Sequence, residues 1–129
     1  MTLESRGRRA LIVEDDEDFV EILTRVITAE GVGIDYARDG QTALDLLSQN
    51  DYAVVTLDLQ IPGPDGLAII EQLRLAAPGM LARVVIFTGF QSIAHSFEPE
   101  VTAISKPNLL TLRSAIRRIL GEGEQSSAI

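Results

Sequence analysis

Four apolar runs in this chain each end in side chains that can do chemistry. Ala53-Val54-Val55-Thr56-Leu57 ends in Asp58. Arg9-Ala10-Leu11-Ile12-Val13 ends in Glu14 and Asp15. Arg83-Val84-Val85-Ile86-Phe87 ends in Thr88, and Val101 to Ser105 ends in Lys106, the only lysine among 11 basic residues. Three carboxylates gathered in one place repel one another and raise each other's pKa. A hard divalent cation relieves that repulsion, and Mg²⁺ needs only one or two protein carboxylates because it keeps several waters. Mg²⁺ also neutralises charge on a phosphoryl group in transfer. A carboxylate can act as nucleophile and form an acyl phosphate. A lysine ammonium suits a phosphate oxygen, and a threonine hydroxyl can donate to one. Brought together, these groups could place a phosphoryl group on a carboxylate.

The elements that would bring them together are legible as alternating patterns. The apolar runs 9–13, 32–37, 53–57, 83–87 and 101–105 read as strands. Between them lie helical spacings: Phe19 to Ile27 stopped by Gly31, a helix capped by Asp39, one capped by Asp65 with Leu67, Ile69, Ile70, Leu73 and Leu75 as its apolar face, a short weak helix over Gln91 to Phe97, and a last one capped by Asn108 and ended by Gly121. Pro78-Gly79 ends the third pattern. Strands alternating with helices imply a parallel sheet covered on both faces, whose buried strands are continuous apolar runs. In such open sheets the ligand site lies beyond the carboxyl ends of the strands, where strand order reverses. All the reactive groups named above fall at carboxyl ends.

Length and composition bound the rest. The 129 residues suit one domain with one core. The expected boundaries are an N-terminal extension over 1–8, a domain over 9–121 and a flexible tail over 122–129. The chain has no cysteine, which excludes disulfides and thiolate metal sites. No apolar run approaches the roughly 20 residues of a membrane helix, and Met1 to Arg9 lacks the apolar segment of a secretory signal. The expectation is a cytoplasmic protein without membrane insertion. A net charge of −8 argues against direct nucleic-acid binding.

The motifs Val13-Glu14-Asp15-Asp16, Leu57-Asp58 with Ile61-Pro62 and Asp65-Gly66, Phe87-Thr88-Gly89 and Ser105-Lys106-Pro107 occur in this order, each ending an apolar run. Together they resemble a response-regulator receiver domain of two-component signalling, over about Arg9 to Leu120. The resemblance implies a three-layer, doubly wound α/β fold with a five-stranded parallel sheet in flavodoxin-like order 2-1-3-4-5 and about five helices, the fourth short. It implies Asp58 as phosphoacceptor. Asp15, Asp58 and the Gln60 backbone carbonyl would bind Mg²⁺ directly, and Glu14 would do so through water. Thr88 and Lys106 would hold the phosphoryl oxygens. The donor would be a phosphohistidine on a sensor histidine kinase or a histidine phosphotransfer protein. The output would be a changed surface for a downstream protein target, with room for a weak homodimer. Such a domain is a signalling switch rather than an enzyme, at most catalysing its own phosphorylation and slow dephosphorylation. The Met1 start and short tails suggest a stand-alone regulator rather than a domain cut from a hybrid kinase. Two rivals are a scaffold binding a partner without phosphorylation, and a Mg²⁺-dependent phosphatase using Asp58 as nucleophile.

The sequence departs from the family at the switch. Receivers commonly carry an aromatic three positions before the lysine, where this chain has Ala103. Phe90, two residues after Thr88, is the candidate replacement. Plainer roles account for other residues. Glu17 and Asp18 suit the first turn of a helix, where carboxylates oppose the dipole, and Asp16 suits its cap. Gly63 and Gly66 suit turn geometry, His95 a surface helix, and Arg113, Arg117 and Arg118 a solvated face.

Overall fold

The computed structural model describes residues 8–89 and 100–128, with side chains through residue 121. The elements run β1 (Arg9–Val13), α1 (Glu17–Thr28), β2 (Gly33–Ala37), α2 (Gly40–Gln49), β3 (Val54–Leu57), α3 (Gly66–Ala76), a 3-10 helix (Pro78–Arg83), β4 (Val84–Thr88), β5 (Thr102–Ser105) and α4 (Leu109–Ala128). The strands form one sheet in the order β2-β1-β3-β4-β5, and every neighbouring pair is parallel. The expected fold and strand order are borne out. Four α-helices and the 3-10 helix make five helical segments among the described residues. The short helix expected over Gln91 to Phe97 lies outside them.

Strand residues alternate between two cores because successive side chains point to opposite faces. Leu11, Val13, Val55, Leu57, Val84 and Ile86 pack with Ala43 of α2, Ile69, Ile70 and Leu73 of α3, and Met80 and Leu81. Ala10, Ile12, Val54, Val85, Phe87 and Ile104 pack with Leu23 and Ile27 of α1 and with Leu112, Ala115, Ile116 and Ile119 of α4. This is a three-layer sandwich. Each fully buried Leu or Ile contributes about 1.5–3 kcal/mol over an exposed one.

The expected caps all form. Asp16 accepts the Asp18 N–H, Asp39 the Thr42 N–H, Asp65 the Ala68 N–H and Asn108 the Thr111 N–H. Two expectations need correction. Leu75 is 81% exposed, not on the buried face of α3. Two residues beyond Leu73 is about 200° around a helix, so it faces solvent. Gly121 does not end the last helix, which continues to Ala128. Gly121 has no positive φ there, and nothing crowds it. The helix runs on through both Gly121 and Gly123, each costing roughly 1 kcal/mol relative to alanine, because neither the left-handed conformation nor a side-chain clash stops it at Gly121. No helix among the described residues is long and apolar enough to cross a membrane.

Candidate functional site

Backbone bonds carry the sheet ladders past the strand ends and so set the site residues. The Glu14 N–H donates to Ala37 O at 3.0 Å, the Asp58 N–H to Val13 O at 3.0 Å, and the Lys106 N–H to Thr88 O at 3.0 Å. Glu14, Asp58 and Thr88 are buried, and Asp15 is exposed. The Lys106–Pro107 peptide is cis.

The Lys106 ammonium bridges two carboxylates. Its Nζ lies 2.7 Å from Glu14 Oε1 and 3.0 Å from Asp58 Oδ2, and the three side chains are only 15%, 1% and 8% exposed. The other oxygens are also engaged. Glu14 Oε2 accepts the Asp16 N–H at 3.2 Å, and Asp58 Oδ1 accepts the Gln60 N–H at 3.1 Å. Burial pushes the Glu14 carboxyl up to about 7, and the Asp58 charge adds to the rise, against the pull of the Lys106 ammonium and the Asp16 N–H. Burial works to lower the Lys106 pKa, but the bonds and charges of Glu14 and Asp58 outweigh it and hold the ammonium above its ordinary value. The shared ammonium thus offsets only part of the cost of burying the Glu14 charge.

Glu14, Asp15 and Asp58 each bring a carboxylate oxygen to within 4.8 Å of the others. An all-oxygen donor set of this size suits a hard divalent cation such as Mg²⁺. The structure thus gathers Glu14, Asp15, Asp58, Thr88 and Lys106 at one sheet edge, with Gln60 beside Asp58 through its N–H. Ala103 lies in β5 opposite Ile86 of β4, packed partly against the α2–α3 core. Phe90 and His95 lie outside the described residues. Arg117 and Arg118 are exposed as expected, yet paired with Glu30 and Thr102.

Two contributors escaped the sequence reading. Gly40, the first residue of α2, donates its N–H to Pro62 O at 2.9 Å. A Cβ there would fall 1.6 Å from Pro64 O, so this close approach to the loop after Asp58 requires glycine. The sequence signal for it is the Asp39-Gly40 pair at a helix start, where Asp39 supplies the cap. Phe19 is more than an apolar helix residue: its ring lies against Lys106, with Nζ 4.2 Å from the centroid.

A doubly wound parallel α/β domain with an acidic, lysine-bridged cleft at the carboxyl edge of its sheet is the class that fold and site define. The family model described as "Response regulator receiver domain" matches residues 10–109. The chain belongs to that family, a family of signalling switches of two-component systems. It is 31% identical to the response regulator MprA of Mycobacterium sp. (strain KMS) over 130 residues, covering 94% of this chain and 56% of that protein. It is 38% identical over 68 residues to the transcriptional regulatory protein TcrA of Mycobacterium tuberculosis, covering 53% of this chain and 27% of that one. The chain thus spans 27% to 56% of the length of these relatives. Among solved structures, the response regulator TrrA of Thermotoga maritima, in complex with Mg²⁺-BeF, matches with TM-score 0.76 and 25% identity over 88% of this chain and 99% of that one. The signal receiver domain of a histidine kinase from Syntrophus aciditrophicus matches with TM-score 0.76 and 25% identity over 89% and 91%.

Proposed function

We propose that this receiver domain works in the cytoplasm as a switch phosphorylated on Asp58 by a phosphohistidine donor. The supporting observation is the position of Asp58: buried, at the end of the central strand β3, bonded to Lys106 and within 4.8 Å of two further carboxylates. In this reading Asp15, Asp58 and the Gln60 carbonyl hold Mg²⁺, with Glu14 acting through water. When bound, Mg²⁺ supplies neutralisation of charge on the phosphoryl oxygens. A carboxylate oxygen of Asp58 attacks phosphorus while the phosphorus–nitrogen bond of the donor breaks and its imidazole leaves. Lys106 exchanges a carboxylate oxygen for a phosphoryl oxygen, and Thr88 donates its hydroxyl to another. The new group adds about −1.5 to −2 charge at one strand end. Because the Lys106 and Thr88 backbones are bonded together, movement of either shifts the ends of β4 and β5, which changes the population balance of the surface beyond them. Ala103 leaves no aromatic on β5 to report this movement, and Phe90 takes that part in this reading. The partner that supplies the phosphoryl group is a sensor histidine kinase or histidine phosphotransfer protein, and a downstream protein reads the altered surface.

Acetyl phosphate tests the assignment without a kinase. With Mg²⁺, the wild type should gain the mass of one phosphoryl group, with chelator it should not, and Asp58→Asn should gain none. Equal uptake by Asp58→Asn would place the acceptor elsewhere. Steady turnover of a phosphoester would instead favour the phosphatase reading.

A further inference from the structure

The Lys106 ammonium has three N–H donors. Two point to Glu14 Oε1 and Asp58 Oδ2, at 2.7 and 3.0 Å. The Phe19 ring lies against the ammonium, 4.2 Å from Nζ to its centroid and inside the roughly 6 Å reach of a cation–π contact. The ring is held from behind. Phe87, 1% exposed, meets it edge-on with centroids 5.7 Å apart and planes at 82°, a favoured arrangement for two aromatic rings. Phe87 is also 6.0 Å from the ammonium. The backbone fixes both ends of this stack. Phe19 sits in the first turn of α1, with its N–H on the Asp16 cap at 3.4 Å, and Phe87 immediately precedes Thr88 in β4.

We propose that Phe19 is a positioning residue for Lys106: its ring face holds the ammonium while carboxylate oxygens are exchanged for a phosphoryl oxygen. The inference rests on the reading of Asp58 as phosphoacceptor. The physical reason is the asymmetry of the contact. Oxygens of Glu14 and Asp58 compete with a phosphoryl group for N–H donors, and a ring face does not. It attracts the cation through its quadrupole yet offers no lone pair that must be displaced. Holding the ammonium in place also lowers the ordering cost of meeting the reacting group. An aliphatic residue would fill the same half-buried space without that attraction, which separates this role from packing.

The test keeps the shape of residue 19 and drains its ring face of charge. Phenylalanines bearing one, two and three ring fluorines are incorporated at position 19 of the full chain. The rate constant for phosphoryl uptake from acetyl phosphate at saturating Mg²⁺ should fall in steps, to about three- to tenfold below wild type. Melting temperatures should stay together across the series. In Mg²⁺-free protein, the Lys106 ε-methylene protons should show an upfield ring-current shift that Phe19→Leu removes and Phe19→Tyr retains. A flat rate across the series, or no such shift in the wild type, overturns the role of Phe19 and leaves Asp58 untouched. A wild type that takes up no phosphoryl group overturns the Asp58 reading and this inference with it.

Discussion

Asp35 and Glu14 are both acidic side chains on the same sheet, and their surroundings are opposite. On edge strand β2, Asp35 Oδ1 accepts from Arg9 at 2.6 Å and Oδ2 accepts from the buried Tyr52 hydroxyl at 2.7 Å. The Arg9 guanidinium and the Tyr52 hydroxyl hold its carboxyl below the usual range. At the carboxyl edge, Glu14 shares one ammonium with Asp58, and burial drives its carboxyl to about 7. One carboxylate is satisfied by its own neighbours. Glu14 shares its single ammonium with a second carboxylate, so the burial of its charge is only partly offset, and a bound cation would relieve that crowding. A carboxylate satisfied within the fold supports structure, whereas a crowded set is where an added cation gains most.

The contrast gives its largest expected effect with paired substitutions. Asp58→Asn should abolish phosphoryl uptake, while changing stability by less than about 1 kcal/mol, because the lost Lys106 pair and the relieved repulsion with Glu14 oppose each other. Asp35→Asn should leave uptake within twofold of wild type, yet lower stability by about 1–2 kcal/mol in urea, since Arg9 is partly exposed. Loss of uptake in Asp35→Asn would break the division between the two clusters.

Gly40→Ala sharpens the division from the backbone side. Its Cβ cannot coexist with Pro64 O, so the loop after Asp58 or the start of α2 must move. The expected cost is about 1–3 kcal/mol in a chemical melt, together with slower phosphoryl uptake.

Acid sensitivity should differ in sign. The folded pKa of Glu14 lies above its ordinary 4.5, so the native state holds its proton more tightly. Its stabilising contribution is complete below 4.5 and is lost as pH rises through about 7. The folded pKa of Asp35 lies below its ordinary 3.8, so its contribution is present above that value and is lost as pH falls through the folded pKa. Stability curves of Glu14→Gln and Asp35→Asn against wild type should flatten these two separate windows. The smallest effect concerns Thr56, whose buried hydroxyl has no hydrogen-bond partner among the described residues. Thr56→Val should raise stability by about 1 kcal/mol without changing uptake.

Much of the site was legible in the sequence for a reason peculiar to parallel sheets. A strand buried on both faces is an unbroken apolar run, so the first polar residue after it marks the sheet edge. That rule located Glu14, Asp58 and Thr88, whereas Lys106, which follows the half-buried edge strand β5, stood out as the chain's only lysine, directly before Pro107; side-chain oxygens before helical patterns located the four caps. What the sequence hid depends on contacts between elements. Arg9, Asp35 and Tyr52 meet only because β1, β2 and the approach to β3 are neighbours. Periodicity showed Phe19 to be apolar, but not that a lysine from β5 would reach its ring. The clash that makes Gly40 necessary involves Pro64 across a loop. Glycine alone was too weak a signal at position 121, where the helix simply continues.

The most direct measurement is a Mg²⁺ titration of isotope-labelled wild-type protein, followed by amide chemical shifts. Saturable shifts should centre on Glu14, Asp15, Asp58 and Gln60 and vanish in Asp58→Asn, with no change at Asp35. Shifts centred on Asp35, or no saturable binding at the carboxyl edge, would contradict this placement of Mg²⁺.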